Sequence, residues 1–194
     1  MNKLICIVGL PGAGKSEVAD YMRSRREYGF LRFGQIVLDK VLEITKTPTE
    51  ALEKKVREEL RREHGMAAMA LLNIPKFDQL LQKGDAIGDG LYSWEEYLIL
   101  KDKYNESLVV LAVYAPPEIR YQRLESRAER HKGDKGARFR SFTREEALAR
   151  DKAQIENLNQ AGPISMADYL IKNTTTLDNL KKQVDEISKM IYGK

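Results

Sequence analysis

The chain has a single cysteine, Cys6, so no disulfide can form within it, and that residue reads as an apolar member of its strand. One free thiol fits a reducing compartment. Nothing near Met1 reads as a secretory leader, and a cytoplasmic location is expected. Long apolar runs are missing too: none approaches the ~20 residues that a membrane-spanning helix needs, so no membrane partner is expected. No internal repeat or low-complexity tract interrupts the pattern. Charge of one sign is not in large excess either, since 33 Lys and Arg against 29 Asp and Glu leave a net +4. What remains is 194 residues, 42% apolar and 32% charged, which supports one globular domain and excludes two full ones.

What the sequence does have is concentrated at its start. The apolar run Leu4-Ile5-Cys6-Ile7-Val8 leads without a gap into Gly9-Leu10-Pro11-Gly12-Ala13-Gly14-Lys15-Ser16. Four free positions separate the first Gly from Gly-Lys-Ser, a strand precedes the octet and a helical pattern follows, so it reads as a phosphate-binding loop. The glycines let successive N–H groups converge on phosphate oxygens, and Lys15 reaches the terminal phosphates. Ser16 offers a hydroxyl to Mg²⁺, and the new helix points its positive end at the same anion. Gly9, Pro11, Gly12, Ala13, Gly14, Lys15, Ser16 and Glu17 are therefore expected around a nucleoside triphosphate, ATP with Mg²⁺, although the choice between ATP and GTP stays open.

Helical and strand patterns alternate after this loop. The first helix is expected over 16–25, a second strand over 30–33, and a helix with a broad apolar stripe over 35–44. Residues 50–63 mix five acids and five bases around Leu52, Val56 and Leu60, an amphipathic helix whose Arg57, Arg61 or Arg62 could turn toward a substrate. A buried helical segment follows over 66–72 and another turn or two over 77–81. Residues 85–89 read as a third strand and 94–103 as a helix. The β-branched run 107–115 is the clearest strand, consistent with the middle of a parallel sheet. A helix over 118–130, a polar basic loop over 131–141, a helix to about 160 that Thr143 and Glu146 start as a capping box, a strand over 167–173 and a closing helix over 177–191 complete the chain. Alternation of this kind specifies a three-layer α/β domain with a parallel five-stranded sheet. Residues 35–82 form a helical insert on the acceptor side, and 127–144 a small lid.

Two further groups carry chemistry. A carboxylate at a neighbouring strand end would hold the water shell of Mg²⁺. Asp89, followed by Gly90, is placed for this, with Asp85 at the wrong strand end and Asp39 as competitors. Residues 120–150 hold ten bases and five acids, an excess of five. Within them Arg120, Arg123, Arg127 and Arg130 recur at three and four residues, and so form one stripe on a helix. Beside a bound triphosphate such a stripe would act as a lid, with Lys15, Arg127 and either Arg138 or Arg140 meeting charge in the transition state. Beyond Tyr121 only Phe139 and Phe142 supply aromatics there, and no nucleic-acid-binding motif accompanies the stretch, so nucleic acid is not the expected partner.

Together these pieces resemble the nucleoside-monophosphate-kinase class of P-loop proteins, and most closely dephospho-coenzyme A kinases. The likeness is carried by 9–16, by Arg123-Leu124 with Arg127, and by Ala167-Asp168-Tyr169-Leu170-Ile171-Lys172-Asn173. It implies that Arg123 lies against an adenine ring, that Arg127 meets phosphate, and that the turn after Asn173 borders the base. Asp89-Gly90 resembles the aspartate-glycine pair of adenylate kinases. The acceptor half departs from both patterns, because Gly34-Gln35-Ile36-Val37-Leu38 has neither the aspartate nor the arginine that grips a monophosphate. The reading is an ATP-dependent kinase of a small nucleotide-like acceptor, dephospho-coenzyme A first. A nucleoside monophosphate kinase and a nucleotide-dependent ATPase or switch are the alternatives, and oligomeric state stays open. A pocket between Gln35 and the helices spanning 57–76 would favour the kinase.

Overall fold

Strands that are apolar on both faces, as Leu4–Val8 and Leu108–Tyr114 are, can be satisfied only in the middle of a layered domain, and that is where the chain puts them. A computed structural model describes residues 1–130 and 141–193. The elements run β1 (Leu4–Val8), α1 (Lys15–Arg25), β2 (Gly29–Arg32), α2 (Gln35–Ile44), α3 (Glu50–His64), α4 (Ala68–Lys83), β3 (Ala86–Asp89) and α5 (Trp94–Tyr104). They continue with β4 (Leu108–Tyr114), α6 (Pro117–Glu125), α7 (Arg127–Arg130), α8 (Arg144–Glu156), α9 (Ala161–Ser165), β5 (Tyr169–Lys172) and α10 (Leu177–Tyr192). The sheet has the order β2-β3-β1-β4-β5 and all its pairings are parallel. Leu4, Cys6 and Val8 face α2 to α5 through Val41, Met69 and Phe77, while Ile5 and Ile7 face α1 and α10 through Met22, Leu180 and Val184. Every residue of β1 is therefore at 0% exposure, which explains why its sequence is a run rather than an alternation.

Parallel register brings the strands' carboxyl ends to one edge. Ile7 pairs with Asp89, and Asp89 with Arg32, so Gly9, Asp89 and Arg32 leave the sheet side by side. Asn173 follows β5 on the same edge, its amide donating to Tyr114 O at 2.8 Å. Asp85 precedes β3 at the opposite edge, where it accepts from Lys3 N at 2.7 Å and pairs with Arg26 at 2.7 Å. Among the described residues no helix is long and apolar enough to cross a membrane.

Three features depart from the sequence-based expectation. The helix expected over 118–130 breaks at Ser126, whose hydroxyl and amide both bond Gln122 O, at 3.0 and 3.2 Å. A serine that bonds its own preceding turn competes with helix continuation. Arg120 therefore does not share a single stripe with Arg123 and Arg127: it is buried, while they line a cleft. The pieces at 66–72 and 77–81 are one helix, α4, which continues through Pro75. One lost backbone bond at Leu71 is offset by burial of Met69, Ala70 and Phe77 on the opposite flank. Helix α9 was not expected from Ala161-Gly162-Pro163. It is held from outside, with Gly162 packed so closely that a Cβ there would sit 2.6 Å from the Trp94 ring. The lid expected over 127–144 falls largely on 131–140, and with Arg138 and Arg140 lies outside the described residues.

Helix α5 starts with a capping box whose acid is fully buried. Glu96 Oε2 accepts from Tyr92 N at 2.9 Å and Ser93 N at 3.1 Å. Burial raises its pKa to about 7 despite those two bonds. A proton held more tightly by the folded than by the unfolded chain stabilises the fold below the ordinary carboxyl range, and that contribution is lost as pH rises through about 7. Glu96→Gln is neutral at every pH and accepts the same bonds. Its stability advantage over wild type is expected to widen by on the order of 2 kcal/mol between pH 5 and pH 8. Urea unfolding at the two pH values checks this, and an unchanged gap would refute it.

Candidate functional site

The phosphate loop leaves β1 at Gly9 and enters α1 at Lys15. Gly12 and Gly14 adopt φ of 79° and 104°, the left-handed region that side chains resist. Space enforces the same choice, since a Cβ on Gly12 would stand 2.6 Å from Arg120 O and one on Gly14 2.2 Å from Asn173 Nδ2.

The loop's carbonyl oxygens are tied from behind. Arg120 donates to Pro11 O at 3.1 Å and Asn173 Nδ2 to Ala13 O at 2.8 Å. Gln160, fully buried, donates to Gly9 O at 3.4 Å and spans to Leu91 O at 3.4 Å. Val18 N takes Gly14 O at 3.2 Å. With these oxygens turned away, the loop's N–H groups are left for the cleft, except Ala13 N, which donates to Leu10 O at 3.2 Å. Lys15 Nζ donates to Gly9 O at 2.7 Å and Leu10 O at 3.3 Å, so the ammonium lies over its own loop. Burial lowers its pKa to about 8. Asp89 acts against that shift, while Arg127, Arg120 and Arg150 add to it. A polyphosphate in the cleft would supply the negative charge that this lysine lacks.

That cleft encloses about 420 Å³. Pro11, Gly12, Gly14, Lys15, Ser16 and Glu17 line it, and so do Asp89, Arg123, Arg127 and Asn173. Gly9 and Ala13 support the loop from inside, Ala13 being 1% exposed among core side chains. Arg123 donates to Asn173 O at 3.0 Å and Oδ1 at 3.3 Å, fixing both residues at one end of the cleft. Asp89 pairs with Arg32 at 3.7 Å. Asp85 is at the far edge of the sheet, and Asp39 pairs on the α2–α4 flank with Lys76 at 3.2 Å while accepting from Gln35 at 2.8 Å. Of these three carboxylates, Asp89 is the one on the cleft. Ser16 and Asp89 are hard oxygen donors on a common wall, which suits a hydrated Mg²⁺ shared with phosphate oxygens. Among the described residues no cluster of three or more acids, His or Cys could cage a metal without such help.

Arg120, expected on the lid stripe, is instead 3% exposed and bonded to Asp151 through both terminal nitrogens, at 2.8 and 2.5 Å. Tyr121 Oη donates to the same carboxylate at 2.9 Å. This pair joins α6 to α8 beneath the loop. Sequence alone did not point to Asp151, Gln160, Tyr92 or Arg150, because their value lies in contacts across the fold. Arg32 was hidden inside a strand pattern.

A second cleft of about 600 Å³ adjoins the first. Arg57, Arg61 and Met66 form one wall, and Ala149, Ala153 and Asn157 on or just after α8 the other. Phe142, Arg150 and Gln154 line both clefts, with the Arg150 guanidinium 4.5 Å from the Phe142 ring centre. The pocket expected against Gln35 is thus bounded by α8 instead. Ala67, Ala68, Met69 and Ala70, from the segment expected to be buried, are core residues, and Met66 beside them reaches the cleft.

Removing one partner from a buried ion pair leaves an uncompensated charge. Asp151→Asn is expected to lower unfolding free energy by about 3 kcal/mol and to weaken nucleotide binding through the loosened Pro11 carbonyl. Glu118→Gln, which breaks the exposed pair with Arg144, should leave both almost unchanged. Urea unfolding and titration with a fluorescent ATP analogue check both variants, and equal behaviour would refute the assignment.

Residues 5–151 match the AAA domain family. Over 98% of each chain, the sequence is 32% identical to a UPF0200 protein of Pyrococcus horikoshii. A Thermus thermophilus protein of 21% identity superposes with a TM-score of 0.56 over 97% of each chain. Shikimate kinase from Bacteroides thetaiotaomicron, 14% identical, does so at 0.59 over 99% of each. The two structures share the fold. The sequence match goes further: the chain belongs to the UPF0200 family, and its residues 5–151 form an AAA-type domain of the P-loop NTPase superfamily.

Proposed function

We propose that the protein is an ATP-dependent kinase that transfers a phosphoryl group to a small nucleotide-like acceptor, with dephospho-coenzyme A the leading candidate. The observation that carries this reading is the pair of adjoining clefts, which share Phe142, Arg150 and Gln154. An ATPase or nucleotide switch needs only the first of them. Shikimate kinase, built on the same fold, is named as a kinase of a small molecule, which agrees with this reading.

In this mechanism the loop amides and Lys15 hold the polyphosphate, while Arg123 and Asn173 border the base. Ser16 and Asp89 would hold Mg²⁺, which when bound neutralises phosphate charge. Arg127 in the cleft and Arg150 at the junction oppose the negative charge that spreads in the transition state, with Arg138 or Arg140 from the 127–144 lid as further contributors. The insert over 35–82 carries the acceptor wall. No side chain needs to form a covalent intermediate, because alignment of an acceptor hydroxyl in the second cleft and exclusion of water supply the rate. A nucleoside monophosphate is the second reading. Arg57 and Arg61 favour it, by supplying in the second cleft the basic groups that 34–38 lack.

An ADP-release assay with Mg-ATP against dephospho-coenzyme A, AMP, CMP, UMP, dTMP and no acceptor tests the reading. Lys15→Ala should lose at least ~10²-fold in turnover, about 2.7 kcal/mol of transition-state stabilisation, with its melting temperature unchanged. Turnover far higher on one monophosphate would replace the leading acceptor. Release indifferent to every acceptor would leave an ATPase. Asp89→Asn should raise the Mg²⁺ concentration needed for half-maximal rate at fixed ATP, and an unmoved midpoint would remove Asp89 from the metal's surroundings.

A further inference from the structure

The second cleft has an uneven chemistry. Lys54, Arg57, Arg61 and Arg150 face it against two acids, Glu58 and Glu146. Arg57 and Arg61 stand four residues apart on α3 and so project from successive turns on the same side. Arg62, the third arginine of that helix, is exposed and turns away. Most described arginines elsewhere on the surface have a carboxylate in reach, as Arg25 has Asp185 and Arg26 has Asp85. Neither Arg57 nor Arg61 has an ion-pair partner among the described residues. The Arg61 Nε is buried with no hydrogen-bond acceptor. Burial lowers the pKa of Arg61, and neighbouring Arg57 adds to the lowering while Glu96, Glu58 and Tyr92 oppose it without bonding it. Two guanidinium groups held together in a cleft with no bonded carboxylate call for an anion from outside. Around them the surface is apolar: Met66, Ala149, Ala153 and Leu158, with Phe142 toward the phosphate side.

We propose that Arg57 and Arg61 form an anion-recognition site that binds the acceptor by a phosphate group, monoester or pyrophosphate diester, or by a carboxylate. The proposal rests on the kinase reading and narrows its substrate class. The acceptor is an organic anion with an apolar or planar body, its charged end at α3 and its reacting hydroxyl near Arg150, which lines both clefts, toward Tyr92, which lines the first. Neutral polyols and unphosphorylated nucleosides are excluded, because they would leave both guanidinium groups unpaired in a half-closed site.

The test separates second-cleft binding from turnover. With the phosphate loop saturated by a non-hydrolysable ATP analogue, calorimetry measures binding of AMP, adenosine, dephospho-coenzyme A and shikimate. These arms distinguish phosphate from carboxylate, and AMP with adenosine isolates the charge. At least one anion should bind and adenosine should not. Arg57→Gln and Arg61→Gln should each weaken that anion by at least about 10-fold, with the ATP analogue unaffected. Arg62→Gln should change neither, and Arg→Lys at either site should restore part of the loss. Second-cleft binding that the two variants abolish supports the site even if ADP release never depends on an acceptor, an outcome that would sink the kinase reading alone. Adenosine binding as tightly as AMP, anion affinity unmoved by both variants, or no anion binding beside the bound analogue would overturn the site. Turnover of a neutral acceptor would do the same while leaving the kinase intact.

Discussion

Backbone amides can converge on an anion only when the carbonyl oxygens of the same segment are satisfied elsewhere. In this protein that requirement organises much of the structure around the loop. Pro11 O needs Arg120, Ala13 O needs Asn173, and Gly9 O is reached by Gln160 and by Lys15. Apart from Lys15, which the loop itself supplies, each side chain comes from a different part of the chain: α6, the end of β5, and the corner before α9. A guanidinium brought under the loop must itself be compensated. Asp151 on α8 does this, and Tyr121 donates a further hydrogen bond to that carboxylate. The loop's geometry is thus a tertiary property, although its motif is local.

The same construction places the two clefts. Helix α8 is anchored beneath the loop by Asp151, and the neighbouring Arg150 is carried to the boundary between the clefts. Helix α3, across the second cleft, belongs to the segment between β2 and β3, which meet side by side in the sheet. Function is therefore distributed over an edge made by parallel strands and over two helices that no sequence motif links.

The first strand, the loop, the parallel sheet and the Thr143–Glu146 cap were legible because each rests on short-range pattern. Position relative to strand direction also distinguished Asp89 from Asp85, and the register agrees. Where the sequence misled, a local rule was overruled by a distant partner. Arg120 obeys helical spacing yet turns inward, since Asp151 thirty-one residues later offers it a buried carboxylate. Pro75 looks like a break, yet packing against Phe33 and the sheet holds α4 together. Arg32 sits in a strand where alternation describes faces, and its proximity to Asp89 arises only when β2 and β3 pair. Arg150 and Tyr92 carry no motif at all.

Helix α8 also has a phase. Its first turn is fixed by Thr143 and Glu146, and its rotation by Asp151 locked to Arg120. Each residue advances a helix by about 100°. Deleting or adding one residue between the cap and Asp151 would swing Arg150 and Gln154 around the barrel of the helix, away from the boundary between the clefts. Length changes before Thr143 carry no such penalty, because the cap restarts the count. Within relatives, the eight-residue interval from Thr143 to Asp151 should tolerate substitution at its exposed positions, such as Glu145 and Leu148, but not insertion.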